Sequence, residues 1–252
     1  MSGNVRAPRR VVPGVNIDIW SDVACPWCWI GKRRFERALA AFPHRDEVTV
    51  TWHSYQLDPS LPDHDDRSEA QYLAETKGMP VEQVRAMVGH VAEQGAGEGL
   101  TYDFDRLVVA NSMRAHQLIQ LAKEHEDAGI VERLEESLFA AHFEHGEDIG
   151  DADTLVRLAT EAGLDTSQVL SELTYSTRVA AVEEDVRHAA SLGLNSVPTF
   201  VLDMQRAVPG AQPTEVFTRA LEQAWAASHS ETPAFITVDG AQDAEACGPD
   251  GC

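Results

Sequence analysis

The chain has 252 residues, of which 41 are acidic and 20 basic, and its formal net charge at pH 7 is −21. A chain of this length can bury a full hydrophobic core without disulfide staples. Its negative charge repels phosphate backbones and anionic membrane surfaces, which argues against nucleic acid and membranes as partners.

The first fourteen residues contain three arginines but no apolar run of the length that a secretory signal requires. We therefore expect residues 1–14 to be a disordered N-terminus and the protein to be cytoplasmic. No later stretch approaches the roughly 20 apolar residues of a membrane-spanning helix.

Residues 15–23, VNIDIWSDV, are rich in Val and Ile and lack Gly and Pro, which predicts a buried strand. A helix is predicted to begin near Pro26, because proline is tolerated in the first helical turn, and to end near Phe42. Apolar residues then alternate with polar ones in VTVTWHSYQL, which predicts a second strand over residues 48–57.

The middle of the chain changes to helix formers with apolar residues three and four positions apart, which predicts about five helices. Strand character returns in SVPTFVLD and AVPG, and TEVFTRALEQAWAAS predicts a last amphipathic helix. The pattern indicates an α/β protein whose strands bracket a helical insertion. The predicted parts are residues 15–64, the insertion 65–184, the second part 185–228, and a tail over 229–252 that carries a cysteine pair.

The four cysteines form two close pairs, Cys25 with Cys28 and Cys247 with Cys252. In a reducing compartment such thiols are more often catalytic, redox-sensing or metal-bound than structural. Cys25 falls at the predicted helix start, where unpaired N–H groups and the helix dipole favour a thiolate. We expect an exposed Cys25 to attack a disulfide and a shielded Cys28 to resolve the mixed disulfide.

The charges that follow Cys28 bear on the same chemistry. Lys32, Arg33 and Arg34 lie in the next turns of the helix and are expected to add positive potential near the thiols. The main alternative is a zinc site of all four thiolates. The redox interpretation is favoured because Pro26 suits a helix start better than the loop of a zinc ribbon.

The strand NIDIW, the helix-opening CPWC, the long helical insertion and SVPTFVLD together resemble the DsbA group of thioredoxin-fold proteins. WSDVACPWCWIGKRRFE and DVRHAASLGLNSVPTFVLD resemble its FrnE-like branch of dithiol oxidoreductases. The resemblance covers most of residues 15–228 and implies a thioredoxin-like fold with an inserted all-helical domain. It also implies that Cys25 is the nucleophile, Cys28 the resolving cysteine and Pro198 a cis proline, with Val197 offering backbone groups to a bound peptide.

One departure from DsbA concerns the direction of electron flow. Trp27 stands where DsbA has a histidine, so it cannot supply a positive charge to the thiolate. A less stabilised thiolate makes the disulfide a weaker oxidant, which favours protein disulfide reduction or isomerisation over net oxidation. No bound cofactor is needed; a redox partner thiol, either glutathione or a dithiol protein, would donate electrons, and the substrates would be disulfide-containing or unfolded proteins.

The sequence leaves two alternative functions open. Kappa-class glutathione transferases and hydroxychromene-carboxylate isomerases resemble this fold with serine at the position of Cys25, so a glutathione-dependent isomerase or transferase is an alternative. A chaperone-like binding module is another, and replacement of Cys25 by serine would separate binding from catalysis.

Several polar and aromatic residues are candidates for supporting roles. Asp18, within the first strand, is either a proton relay for Cys28 or a carboxylate at a sheet edge facing water. Trp27, expected on an exposed turn, is a candidate substrate contact, whereas Trp20 and Trp29 are expected to pack in the core. His142, with the neighbouring Glu144 and His145, resembles part of a metal site but is expected to form a solvated helix end.

The terminal sequence CGPDGC is a turn that can bring Cys247 and Cys252 together. A disulfide over so short a loop contributes only about 2 kcal/mol to stability in the chain-entropy model. We therefore hypothesise that this pair is an auxiliary redox centre; the alternative is an inert or metal-binding tail.

Overall fold

The computed structural model describes residues 14–127 and 129–229. The strands are β1 (Val15–Ser21), β2 (Val48–Ser54), β3 (Asp65–Ser68), β4 (Val108–Val109), β5 (Thr199–Leu202) and β6 (Arg206–Pro209). The helices are α1 (Pro26–Ala41), α2 (Glu69–Lys77), α3 (Val81–Ala96), α4 (Met113–Lys123), α5 (Gly129–Phe139), α6 (Ala152–Ala162), α7 (Thr166–Tyr175), α8 (Val179–Ser191) and α9 (Thr214–Ser228). A π-helical turn over Ala140–Glu144 extends α5.

Four strands form a mixed sheet in the order β2–β1–β5–β6. Strand β1 is parallel to β2 and antiparallel to β5, and β5 is antiparallel to β6. Parallel strands need a crossover connection, which α1 provides between β1 and β2. The predicted first strand and helix are confirmed, and the second strand ends at Ser54, three residues before its predicted end at Leu57.

The two faces of the sheet bury different side chains, because successive residues of a strand point to opposite sides. Ile17 and Ile19 lie in the main core, together with α1 and α9, where the ring of Phe35 meets those of Phe200 and Phe217. Trp20 lies on the other face, against α8, and its Nε1 donates to the carbonyl of Asp185 at 3.0 Å. The sheet is therefore covered by helices on both faces.

The inserted segment is helical, as predicted, and contains α2 to α7 and the start of α8 within residues 65–184. The predicted boundary at residue 184 falls inside α8, so this helix belongs to both predicted parts. The segment also contains a short antiparallel pair, β3 with β4, that the sequence did not predict. Strand β3 is the polar tetrapeptide DDRS and β4 has only two residues, so neither carries a readable alternation of apolar residues.

Across the described residues, none of the helices combines the length and the apolar character needed to cross a membrane.

Candidate active site

The dithiol lies where β1 turns into α1. Cys25 is the N-cap residue, with extended backbone angles (φ −102°, ψ 112°), and Pro26 occupies the first helical turn. The N–H of Cys25 donates to the Asp22 carbonyl at 2.9 Å, and the N–H of Cys28 donates to the Cys25 carbonyl at 3.0 Å. The predicted placement of Cys25 at a helix start is confirmed, and it brings the thiol to the positive end of the helix dipole.

Both cysteines are free thiols, and both are buried. Cys25 is 4% exposed and Cys28 is 1% exposed, so the expectation of an exposed Cys25 is wrong for this state of the protein. The reason is a cover formed by the segment before β5. The Cys25 Sγ donates to the Val197 carbonyl at 3.7 Å, and the peptide bond between Val197 and Pro198 is cis.

Helix α1 carries a glycine where this segment approaches. A Cβ atom added to Gly31 would lie 2.8 Å from Cγ of Pro198, closer than real Cβ contacts allow. Glycine in the interior of a helix costs roughly 0.5–1 kcal/mol relative to alanine. The close approach of the Pro198 ring to α1 explains why position 31 is a glycine, since any larger residue would collide with the ring.

The two thiols have unequal surroundings. Burial raises the pKa of Cys28 well above its ordinary value, and the neighbouring Cys25 raises it further. The Ser21 hydroxyl and the backbone of Asp22 oppose this effect. Cys28 is therefore held as a neutral thiol, so the two sulfurs differ in their electrostatic environment.

The basic residues of α1 do not act as expected. Lys32 is 1% exposed and forms ion pairs with Glu36 and, at 3.2 Å, with Glu136. Arg33 pairs with the same two carboxylates, and Arg34 pairs with Glu98 at 2.6 Å. The expected positive potential is therefore neutralised by carboxylates, two of which come from the inserted segment.

Asp22 joins the dithiol turn to two other parts of the chain and was missed by the sequence analysis. Its carboxylate accepts the N–H groups of Ala24 (3.1 Å) and Leu57 (2.7 Å), and it lies 3.2 Å from Nε2 of His116 on α4. Asp22 is 1% exposed. Although burial opposes the charge, these partners, His116 first, lower the pKa of Asp22 below its ordinary value.

His142 is also buried, so the expectation of a solvated helix end is wrong for this residue. It is 3% exposed, and its Nδ1 has no hydrogen-bond partner among the described residues. Burial lowers the pKa of His142 to about 4, although the charges of Asp22 and Asp148 act against the decrease. The imidazole is therefore neutral at pH 7. Glu144 is half-buried and His145 is exposed.

Tyr102 contacts the CPWC backbone from the inserted segment. Its hydroxyl donates to the Pro26 carbonyl at 2.8 Å, and its ring lies edge-on to Trp29, with 5.5 Å between the ring centroids. Burial raises the pKa of Tyr102, and the two nearby thiols raise it further, so the hydroxyl stays a donor. No sequence motif identified this residue, because its contact spans 76 positions.

The predicted burial is confirmed for two of the three tryptophans near the motif. Trp20 and Trp29 are buried, at 0% and 2% exposure, which confirms their predicted core positions. Trp27 is half-buried rather than fully exposed; its ring packs against the core and lies 6.4 Å from that of His90 on α3. Its proposed contact with substrate stays a prediction.

The structure does not bring Asp18 to the thiols. Its side chain points to the opposite face from Ile17 and Ile19, is 20% exposed, and lies 2.8 Å from Nε2 of His53. The other ring nitrogen of His53 lies 2.9 Å from Asp185 on α8. Asp18 thus lies in a central strand, in a hydrogen-bonded network with His53 and Asp185 beneath α8. The buried acid beside the dithiol is Asp22.

The second cysteine pair, Cys247 and Cys252, lies outside the described residues, as do residues 1–13 of the predicted N-terminus and residues 230–252 of the predicted tail. Within residues 14–127 and 129–229 no group of three or more His, Cys, Asp or Glu side chains could hold a metal ion. A zinc site that uses the terminal pair is therefore not tested by this geometry.

Comparison with known proteins gives matches over most of the chain. The family model of the DSBA-like thioredoxin domain matches residues 16–222. The crystal structure of a probable DsbA oxidoreductase from Streptomyces coelicolor is 42% identical and superimposes with a TM-score of 0.80, covering 94% of this chain and 98% of that one. The uncharacterized protein YwbO of Bacillus subtilis is 29% identical over 213 residues, 82% of this chain and 96% of its own length.

A more distant match shares the fold. The cytosolic disulfide reductase DsbM from Pseudomonas aeruginosa, in its structure with GSH, is 20% identical with a TM-score of 0.58, covering 82% of this chain and 98% of that one. These matches agree with the thioredoxin-like fold and the inserted helices described above.

Proposed function

Because this chain belongs to the family of DSBA-like thioredoxin domains, we propose that it is an enzyme that reduces or isomerises protein disulfides through Cys25 and Cys28. The observation that carries the proposal is the dithiol itself. Two free thiols lie at the start of α1, and the first contacts the Val197 carbonyl beside Pro198.

The reaction proceeds by two exchanges. The Cys25 thiolate attacks one sulfur of the substrate disulfide, so that a Cys25–substrate disulfide forms and the other substrate sulfur leaves as a thiolate. Cys28 then loses its proton, which the departing thiolate takes up, and attacks the Cys25 sulfur. The Cys25–Cys28 disulfide forms and the second substrate sulfur leaves with the electron pair. The substrate has gained two electrons and the enzyme has lost two.

Each neighbouring group has a part in this sequence. Opening of the segment around Val197 would expose the Cys25 sulfur and free a carbonyl for a substrate backbone. The high pKa of Cys28 keeps it protonated until the mixed disulfide has formed, so that Cys25 and not Cys28 makes the first attack on the substrate disulfide. Asp22 holds the turn that presents Cys25, and Tyr102 holds the first turn of α1. Asp22 and Tyr102 are therefore positioning residues.

The charges around the dithiol support reduction or isomerisation over net oxidation. Trp27 carries no charge, and Lys32, Arg33 and Arg34 are neutralised by carboxylates. The helix N-terminus is thus the main source of positive potential for the thiolate. A modestly stabilised thiolate gives a disulfide of low oxidising power, which suits a cytoplasmic reductase or isomerase.

The oxidised enzyme must be returned to the dithiol by glutathione or by a dithiol protein. The terminal pair Cys247 and Cys252 is proposed as an auxiliary centre in that transfer. Removing the last six residues should slow turnover with a protein disulfide, measured by the release of substrate thiols. Unchanged reductase and isomerase rates would contradict an auxiliary role.

The test of the proposed function is the reduction potential of the Cys25–Cys28 pair. It is measured by titration against glutathione in a Cys247→Ser/Cys252→Ser background, with zinc content assayed in the same samples. A reversible two-electron transition near or below the glutathione poise supports a reductase or isomerase. A potential near that of DsbA, about −120 mV, would contradict this direction, and retained stoichiometric zinc without a transition would contradict an enzyme.

Two substitutions complete the test. Cys28→Ser should trap a covalent complex with a disulfide-containing protein, because the mixed disulfide has no resolving thiol. Cys25→Ser should form none, since Cys28 is buried. The presence or absence of the covalent complex is detected by non-reducing electrophoresis and mass spectrometry.

A further inference from the structure

Ser21 ends β1, and its side chain lies on the face of the sheet that packs against α1. Alternate residues of a strand share a face, so Ser21 points to the same side as Ile17 and Ile19, which lie in the main core. The residue is 3% exposed, and its Oγ has no hydrogen-bond partner among the described residues. A buried hydroxyl without a partner is unfavourable, so a serine at this position calls for an explanation.

The group beside this hydroxyl is the Cys28 sulfur, which is buried on α1. Burial, and after it Cys25, raises the pKa of Cys28, whereas the Ser21 hydroxyl and the Asp22 backbone lower it. The two opposing groups act as hydrogen-bond donors, because a donor favours the charged form of a thiol. A neutral thiol sulfur is a weak acceptor, which leaves the hydroxyl without a full hydrogen bond in the dithiol form.

The cations of α1 give little positive potential to the Cys28 sulfur. Lys32, one turn after Cys28, is paired with Glu36 and with Glu136. The N–H of Cys28 itself donates to the Cys25 carbonyl at 3.0 Å. A negative charge that forms on this sulfur therefore depends on the donors at the end of β1.

Negative charge appears on the Cys28 sulfur in both halves of the catalytic cycle. When glutathione or a dithiol protein reduces the enzyme, its thiolate attacks the Cys25 sulfur, the bond between donor and Cys25 forms, and Cys28 leaves with the electron pair. Cys28 then takes a proton from a second donor thiol, whose thiolate releases Cys25. During substrate reduction the Cys28 thiolate is the nucleophile that attacks Cys25, so the same charge forms again.

We propose that the Ser21 hydroxyl and the N–H of Asp22 form a two-donor site that receives the Cys28 thiolate whenever the Cys25–Cys28 bond is made or broken. The inference rests on the proposed function, because it assigns a further catalytic residue, Ser21, to the same dithiol. Ser21 donates a hydrogen bond and keeps its proton, as the donors of an oxyanion hole do. A thiolate is a strong acceptor, so the hydroxyl gains in the charged state the partner that it lacks in the dithiol.

The test follows the two thiols separately with equimolar dithiobis(nitrobenzoic acid) in the Cys247→Ser/Cys252→Ser background. One thionitrobenzoate is released when Cys25 attacks the reagent and a second when Cys28 closes the disulfide, and stopped-flow absorbance records both. Ser21→Ala should slow the second release about threefold and leave the first unchanged. Loss of one hydrogen bond lowers the thiolate fraction of Cys28 about tenfold, and the more basic thiolate that remains is about threefold more nucleophilic.

Two variants of similar volume separate the hydroxyl from its packing. Ser21→Thr keeps the donor and should close the disulfide at nearly the rate of the unmodified protein, whereas Ser21→Val carries a methyl group instead and should be as slow as Ser21→Ala. Reduction of the disulfide by glutathione should slow by the same factor, so the reduction potential stays unchanged, because neither the disulfide nor the neutral thiol carries the charge. Equal rates in Ser21→Thr and Ser21→Val, an unchanged second release in Ser21→Ala, or a potential that shifts with the rate would overturn the proposal.

The matched control is Ser54→Ala. Ser54 is the partner of Ser21 in the register of β1 and β2, and it is also buried, at 1% exposure. Its hydroxyl accepts a hydrogen bond from Gln120 at 3.0 Å, so it already has a partner. The variant removes a buried hydroxyl at the same level of the sheet and should leave both releases unchanged. An equal slowing of the second release in Ser54→Ala would contradict a specific role for Ser21.

A titration separates this inference from the proposed function. In a Cys25→Ala protein, which adds no new hydroxyl beside Cys28, the Cys28 thiolate is followed by its ultraviolet absorbance as the pH rises. Ser21→Ala should move this titration to higher pH, and Ser21→Thr should not. That result supports the two-donor site even if the enzyme reduces no protein disulfide, in which case the proposed function is what fails. The same titration with and without Ser21→Ala would contradict the site.

Discussion

Burial of His142 should make the protein less stable in mild acid by an amount that can be calculated. The pKa of this residue is about 4 in the folded protein and has an ordinary value of 6.5 when unfolded. Between these pH values His142 is protonated in the unfolded state but not in the folded state, so the free energy of unfolding falls as the pH falls. At about 1.4 kcal/mol per pH unit, the difference corresponds to about 3 kcal/mol. This loss is absent above pH 6.5 and complete below about pH 4.

The measurement is the free energy of unfolding in urea, followed by circular dichroism at pH values from about 7 to about 4. His142→Leu should lose less stability over this range than the unmodified protein, by about 3 kcal/mol. The control is His145→Gln, because His145 is exposed. Asp22 does not contribute to this pH dependence, because its pKa is lowered and it affects stability only at pH values below its ordinary pKa of 3.8. An equal pH dependence in His142→Leu and the unmodified protein would refute the reasoning.

Three further predictions, one of them with a control substitution, have defined outcomes. Gly31→Ala should lower the melting temperature by several degrees, because the new Cβ would lie 2.8 Å from Pro198 and such overpacking costs about 1–3 kcal/mol. The control is Gly89→Ala in α3, where the new Cβ has no neighbour within 4 Å and should stabilise the protein by about 0.5–1 kcal/mol. A change of the same sign in both variants would contradict the packing argument. Tyr102→Phe should cost about 0.5–1.5 kcal/mol and change the reduction potential of the dithiol, whereas an unchanged potential would leave the tyrosine a purely structural role. Asp22→Asn should cost about 1–3 kcal/mol at neutral pH in denaturant unfolding, because the amide weakens the hydrogen bonds that the carboxylate accepts from Ala24 and Leu57, and an unchanged free energy of unfolding would show that this carboxylate does not hold the turn.

The first strand, the dithiol helix and the parallel second strand could be predicted because each has a strong local signal. The β-branched run of β1, the proline at the start of α1 and the alternation in β2 are visible within a few residues. The pair β3–β4 could not be predicted, since it is held by backbone pairing between polar or very short segments. Secondary structure could therefore be predicted only where a segment is long enough to show a periodic pattern of apolar side chains.

The positions of Cys25 and Cys28 could be predicted, but their environment could not. Glu136 and Glu98, which neutralise the basic residues of α1, lie 104 and 64 positions from Lys32 and Arg34. Sequence spacing carries no information on such distant partners. Asp18 was a candidate for the acid beside the thiols and Asp22 was not considered, for a related reason: the pattern shows that a strand has two faces, but not which side chains meet the thiols.

The link between Asp22 and His116 also has a consequence for synthesis, because the two residues are 94 positions apart in the chain. A ribosome adds about 5–20 residues per second, so the histidine is polymerised about 5–20 s after the aspartate. During that interval the nascent polypeptide carries both thiols without the helix that completes their turn. The buried environment of the two thiols is thus completed only after translation has passed α4, and an oxidant present earlier would meet cysteines that are not yet buried.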